Sequence, residues 1–296
     1  MRVFITGAAG FIGTATTREL IANGHQVVGL ARSDANAAAL KAAGADVQRG
    51  SLEDLDALRK GAQESDGTIH LAFIHDFSKF AENGQIDKRA IQAMGDALEG
   101  THKPFIVTSG TGLIAPGMVI TEDMRREASA DVPRVSEQAG LAYASRGVRA
   151  MAIRLPQVHG ADGKAGLITY LLEHARQKGA AAYVGDGTER WAAAHRLDVA
   201  RLYRLALEKG AVDGIYHAVG EEGVPLREIT EVIGRALNVP VVSISRAEAG
   251  DYYGPLAMFV GLDMPASSAL TQKRLDWKPT QIGLIADISQ RGYFAR

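Results

Sequence analysis

Short apolar runs alternate, along the first half of the chain, with stretches whose apolar residues recur every three or four positions. The runs are RVFIT, QVVGLA, ADVQR and GTIHLAF, and the segments between them are FIGTATTRELIANG, ANAAALKAAG and LEDLDALRKGA. A continuous apolar run fits a strand buried on both faces, and a 3.6-residue period fits an amphipathic helix, so the order reads βαβαβαβ. Gly24 and Gly44 stand where the first two helical patterns stop. The alternation continues through a predicted helix from Gln85 to Glu99, the strand PFIVTS, a predicted helix from Arg134 to Arg146 and the strand VRAMAIRLP, which makes about six parallel strands. That pattern is an α/β, doubly wound parallel sheet, the Rossmann fold. After Pro156 the alternation loosens, and glycines at 160, 163, 166, 185 and 187 mark loops. We therefore expect a dinucleotide-binding domain over residues 1–155. A smaller, partly interleaved mixed α/β region for substrate follows over 156–296, with some segments returning to the first domain.

The glycine-rich turn is the most informative segment. TGAAGFIG places Gly7, Gly10 and Gly13 directly between a strand and a helix. Gly7 permits the tight turn, Gly10 lets the backbone approach a pyrophosphate, and Gly13 allows the helix to pack closely on the strand. The free N–H groups at the helix start then face the phosphates. At the end of the second strand, where an acid would hold the ribose hydroxyls of NAD, the chain reads Leu30-Ala31-Arg32-Ser33. The planar fork of Arg32 suits a 2′-phosphate, and Ser33 adds a hydroxyl, which favours NADP(H) over NAD(H). Asp34 keeps the NAD reading open as a ribose ligand one register later.

Composition narrows the partners. The 296 residues are 46% hydrophobic and 23% charged, near the globular average, so the chain has material for a large core. A net charge of -1 with both signs dispersed offers no footprint for nucleic acid. There are no cysteines, which removes thiolate nucleophiles and cysteine-based zinc sites. No apolar run approaches the ~18 residues of a membrane span, and the N-terminus runs straight into a strand pattern, so the expected location is the cytoplasm. His, Asp and Glu show no spacing that converges on a metal, and no Gly-x-Ser-x-Gly elbow occurs.

TGAAGFIG, the segment His70 to Phe73 (HLAF), the strand ending IVTSG and the strand ending AIRLPQVHG together resemble the extended short-chain dehydrogenase/reductase superfamily. The likeness extends to HRLDVARLYRLAL and RLDWKP, which look like parts of the epimerase/dehydratase branch. The resemblance implies a cofactor site formed by Gly7, Ala9, Gly10, Phe11, Ile12, Gly13, Arg32, Ser33, Ser51, Leu52, Leu71, Ala72, Phe73, Thr108, Pro156 and Val158. It also assigns Arg154, Leu155, Pro156 and Gln157 to the loop on the nicotinamide side. In that superfamily a Tyr-x-x-x-Lys pair does the proton chemistry, yet no tyrosine in this chain is followed four residues later by lysine. Counting back from VRAMAIRLP puts the pair at Ser129/Pro133 or Ala130/Arg134, as in atypical members of the superfamily. Tyr143 reads as a packing aromatic.

Hydride chemistry needs a proton donor or acceptor near the developing alkoxide, and the remaining candidates are few. Ser109 and Thr111 flank Gly110, the position where relatives place their Ser or Thr. Arg134 can hold negative charge, though as a partner for Glu137 at i,i+3 it also reads as an ordinary helix arginine. His75 follows the fourth strand, His159 replaces the tyrosine relatives carry in PQVHG, and His195 precedes the Asp198 helix; each also reads as an ordinary hydrogen-bonded histidine. His70, inside a strand, reads as structural. Tyr183, Trp191 and Tyr252 or Tyr253 are candidate walls for a ring-shaped substrate. The expectation is an NADP(H)-dependent oxidoreductase of a small carbonyl or alcohol. A nucleotide-binding redox sensor and an epimerase/dehydratase-like enzyme on a nucleotide sugar are the alternatives. A homodimer through the Gln85 to Glu99 helix fits the resemblance.

Overall fold

The computed structural model describes residues 1–112, 114–125, 134–160, 166–290 and 293–294, the side chain of Phe77 excepted. Its centre is a seven-stranded parallel sheet in the order β10-β6-β5-β4-β1-β2-β3. The strands are β1 Arg2–Thr6, β2 Gln26–Ala31, β3 Asp46–Arg49, β4 Gly67–His70, β5 Pro104–Gly110, β6 Arg149–Leu155 and β10 Gly214–His217. Helices α1 Phe11–Ala22, α2 Asp34–Ala42, α3 Leu55–Gln63, α4 Phe80–Leu98, α5 Ser136–Leu141 and α7 Arg196–Lys209 cover the two faces. Successive residues of a strand point to opposite sides, and β1 shows this directly. Val3 and Ile5 pack with Leu20, Val199 and Leu202 on one face, whereas Phe4 packs with Leu58, Ala62 and Met94 on the other.

The sheet has one strand more than the pattern predicts. β10 pairs in parallel with β6, from Gly214 opposite Met151 to His217 opposite Arg154. Four residues carry too little periodicity to be read as a strand, and tertiary pairing supplies what the local pattern lacks. Two helices also differ in extent. α4 starts at Phe80 rather than near Gln85, and α5 begins at Ser136 and gives way to a 3-10 turn over Ala144–Arg146. Gly147, at φ 74°, ends that turn in the left-handed region where glycine is favoured.

The remaining elements build a second core. They are β7 Gln157–His159, α6 Leu167–Lys178, β8 Ala181–Val184, β9 Arg190–His195, β11 Glu221–Pro225, α8 Leu226–Leu237 and β12 Val241–Ile244. Short helices α9 Ala249–Tyr253, α10 Ala257–Val260, α11 Ala269–Leu275 and α12 Leu284–Ile288 follow. Leu171, Val184, Trp191, Ile229 and Ile233 meet there. The HRLDVARL and RLDWKP segments turn out to be one joint. Trp277, fully buried, donates its indole N–H to the Asp198 carbonyl at 2.9 Å, while the Asp198 carboxylate accepts from the backbone of Thr280 and Gln281. Among the described residues no helix is long and apolar enough to cross a membrane.

Candidate functional site

In a doubly wound sheet of this order, ligands bind beyond the carboxyl ends of the strands where the order reverses, here between β1 and β4. The glycine turn sits at that point. Gly7 has φ 70°, and a Cβ on it would lie 2.8 Å from the Ala72 nitrogen. A Cβ on Gly13 would lie 2.0 Å from the Gly7 carbonyl oxygen, so α1 can approach β1 only without a side chain there. Gly10 precedes α1 and offers no side-chain cap, which leaves the first N–H groups of the helix open to an anion. The backbone of this turn therefore fits the pyrophosphate of a dinucleotide. Ala9, Phe11, Ile12 and Leu71 lie half-buried against the core beneath it.

One cation beside the turn escaped the sequence reading. Arg196, at the start of α7, lies with its guanidinium 5.7 Å from the Phe11 ring centre, and its Nε is buried without a partner among the described residues. Helix α7 packs along α1, which the linear sequence does not disclose. At the end of β2, Arg32 is exposed. Ser33 spends its hydroxyl capping α2, accepting from Asn36 N–H at 3.2 Å, and Asp34 is engaged by Arg49. Ser51 likewise accepts from Glu53 N–H, and Leu52 packs against the core.

Beyond β5 and β6 opens a cavity of about 210 Å³ that brings together Ser109, Thr111, His75 and Arg134. Phe73, Leu155, Pro156, Trp191, Phe259 and Met264 supply its apolar walls. His75 reaches solvent at the rim, in edge contact with Phe73 at 5.3 Å. Desolvation by the surrounding protein, and then the charge of Arg134, lower its pKa below 6.5, against a smaller rise from a hydrogen bond to the Phe73 backbone. The ring is therefore neutral at neutral pH. Thr111 donates to the Leu155 carbonyl at 3.3 Å.

Arg134 is not paired with Glu137. It donates from Nε to Ser136 Oγ and from Nη2 to the Thr108 carbonyl, both at 2.9 Å, and stacks 4.0 Å over the Phe73 ring. Behind it runs a buried chain of hydrogen bonds. Ser136 donates to Asp87 Oδ2 at 2.6 Å, His70 Nε2 lies 3.1 Å from Asp87 Oδ1, and Thr6 meets His70 Nδ1 at 2.7 Å. Burial works to raise the pKa of Asp87, but His70, Arg134 and Ser136 together overcome it and hold the carboxyl below its ordinary value. Thr108 turns inward as well, donating to the His70 carbonyl and meeting Tyr203 at 2.8 Å. Asp87 carries no motif; its only sequence signal is an acid on the apolar face that Ile86, Ala90 and Ile91 mark on α4.

Several expectations are corrected by the geometry. Arg154 does not face a cofactor: fully buried, it grips Glu137 with two hydrogen bonds of 2.7 and 2.6 Å and reaches His217 at 3.1 Å. His159 lies outside the cavity. It is buried, with Nδ1 2.7 Å from Asp287 and its ring edge-on to His195, and Val158 is core. Of the candidate aromatic walls only Trp191 lines the cavity, because Tyr252 and Tyr253 donate to the carbonyls of Ala180 and Ala182 and Tyr183 lies under Arg227. Tyr143 is a buried packing residue bonded to Asp96 at 2.7 Å. Ser129, Ala130 and Pro133 lie outside the described residues. No cluster of three or more potential metal ligands occurs among the described residues.

Comparison with known proteins supplies the wider setting. The model of the NAD dependent epimerase/dehydratase family matches residues 3–220. The chain is 47% identical over 99% of its length to the whole of uncharacterized protein C2A9.02 of Schizosaccharomyces pombe. It is 28% identical, over 82% of its length and 77% of the relative's, to a 2-alkyl-3-oxoalkanoate reductase of Stenotrophomonas maltophilia. Among solved structures, the dTDP-glucose 4,6-dehydratase DesIV of Streptomyces venezuelae, solved with NAD bound, superposes with a TM-score of 0.75. That match has 22% identity and covers 99% of this chain and 96% of the other.

Proposed function

The chain belongs to the NAD-dependent epimerase/dehydratase family of the extended short-chain dehydrogenase/reductase superfamily, and from that membership we propose that it is an NADP(H)-dependent oxidoreductase of a small carbonyl or alcohol. The observation that carries the reading is the cavity itself. It gathers an imidazole, two hydroxyls and a guanidinium at the carboxyl edge of the sheet, beside a turn shaped for a dinucleotide. The relative named as a reductase supports a redox reaction at such an edge. NADP(H) is favoured because Arg32 is exposed at the end of β2 while Asp34, the competing ribose ligand, is engaged by Arg49.

When bound, the nicotinamide supplies or accepts the hydride. The protein's own part is proton transfer and orientation. His75, neutral at neutral pH, takes the proton of a substrate hydroxyl as the alcohol is oxidised, and in the reverse direction its protonated form returns that proton to the developing alkoxide. Ser109, whose hydroxyl engages no described residue, polarises the carbonyl oxygen from the end of β5. The apolar walls pack around the reacting carbon, and Arg134 contributes a fixed positive charge.

Calorimetric titration with NADPH and NADH tests the cofactor assignment directly. NADPH is expected to bind at least tenfold more tightly, about 1.4 kcal/mol, and Arg32→Ala should erase that gap. Failure of the chain to bind either nucleotide would remove the oxidoreductase reading altogether.

A further inference from the structure

Among the described residues the cavity is rich in hydrogen-bond donors and holds no acid. Arg134 commits Nε and one hydrogen of Nη2 to Ser136 and Thr108, which leaves Nη1 without a described partner. Trp191 lines the same cavity, is 1% exposed, and its indole N–H has no partner among the described residues. Gln157 accepts from the Leu167 N–H at 2.8 Å through its amide oxygen, and its NH2 has no described partner. Neither Asp nor Glu occurs among the described lining residues, and His75 is neutral. Guanidinium and indole N–H groups can only donate, so what satisfies them must bring acceptors, and the outward edge of the guanidinium, whose charge Asp87 meets only from behind through Ser136, suits an anion. A carboxylate meets both demands, and the planar fork of arginine matches its geometry.

Size and shape define the rest of the ligand. An apolar cavity of about 150 Å³ accommodates benzene, and this one measures about 210 Å³ with Phe73, Phe259 and Met264 on its walls. One ring plus a carboxyl group, or a branched chain of the same bulk, fills it. The arginine is also pre-set, because the chain from Thr6 through His70, Asp87 and Ser136 fixes its head before any ligand arrives.

We infer that the substrate is a small carboxylic acid with an apolar body, whose carboxylate takes the open edge of Arg134 and draws on the free donors of the cavity. The inference rests on the oxidoreductase reading only in calling that ligand a substrate. The test is calorimetry on the full chain, with and without NADPH, using benzoate and cyclohexanecarboxylate against their neutral amides. Each acid is expected to bind at least tenfold more tightly than its amide. Arg134→Gln should abolish the preference and Arg134→Lys should keep part of it. Equal affinity of acid and amide, no binding of either at millimolar concentration, or a preference that survives Arg134→Gln in a folded variant would overturn the inference. The acid-to-amide ratio of the unmodified protein decides the matter even where Arg134→Gln does not fold. NADPH oxidation with neutral and acidic carbonyl compounds separates the two readings. Turnover of neutral compounds with no acid preference defeats the carboxylate site alone, and acid binding without turnover of any carbonyl compound defeats the redox reading alone.

Discussion

A histidine whose pKa lies below 6.5 has a lone pair to offer across the neutral range, and that sets the direction of proton traffic at His75. Alcohol oxidation should rise with pH as His75 loses its proton, then level off above 6.5. Carbonyl reduction should climb on acidification through the same lowered pKa. His75→Asn should remove both inflections and cut kcat by about 10²- to 10⁴-fold, the usual worth of a positioned acid or base. A pH profile of kcat in each direction, measured on both proteins, reads the result. An inflection that persists in His75→Asn would assign the proton to another group. The sequence could bring these candidates together because position at the carboxyl end of a strand is a strong clue: Ser109 stands at the end of β5, and Thr111 and His75 follow the ends of β5 and β4. Asp87, Trp191's free N–H and Arg196 were not legible as site features, because each matters through a neighbour that only folding brings near.

At the level of elements, the buried pair of Glu137 on α5 and Arg154 on β6 joins the short helix behind the site to the sheet. Arg154 also donates to the Met124 carbonyl at 2.8 Å, so it fixes the segment that leads away from β5. Glu137→Ala leaves a fully buried guanidinium without its carboxylate, and removing one partner of such a pair costs about 3–5 kcal/mol. Urea unfolding should show that loss as a lower midpoint. The double change Glu137→Leu with Arg154→Met should recover part of it, since apolar residues avoid the desolvation cost of the pair but leave the Met124 carbonyl and His217 Nε2 without their donor. Periodicity made β1 to β6 and α1 to α4 readable in order, with ends displaced by a few residues. It could not show that Arg154, within an apolar strand, looks into the core rather than toward a ligand. Nor could it reveal β10, whose four residues become a strand only through pairing with β6.

Across the whole molecule, the last strand of the central sheet is tied to the C-terminal segments through His217. Its Nδ1 lies 2.7 Å from the Ser267 carbonyl and its Nε2 3.1 Å from Arg154 Nη1, and its backbone N–H donates to Thr271. A carbonyl only accepts and a guanidinium only donates, so the proton must sit on Nδ1 and the ring must be neutral. Desolvation, its largest cause, together with the Arg154 charge lowers the pKa to about 4, outweighing the pull of Glu122, the Ser267 carbonyl and Glu137. Between that value and 6.5 the unfolded chain binds a proton here that the folded chain refuses. This histidine therefore favours folding fully above pH 6.5, and the contribution drains away as pH falls toward 4. Over two pH units the difference is about 2–3 kcal/mol. Urea midpoints at pH 7 and pH 4.5 should fall further apart in the unmodified protein than in His217→Gln, whose amide can serve the same two neighbours without titrating. Equal spacing in the two proteins would show that the acid sensitivity of the joint between sheet and C-terminal segments resides elsewhere.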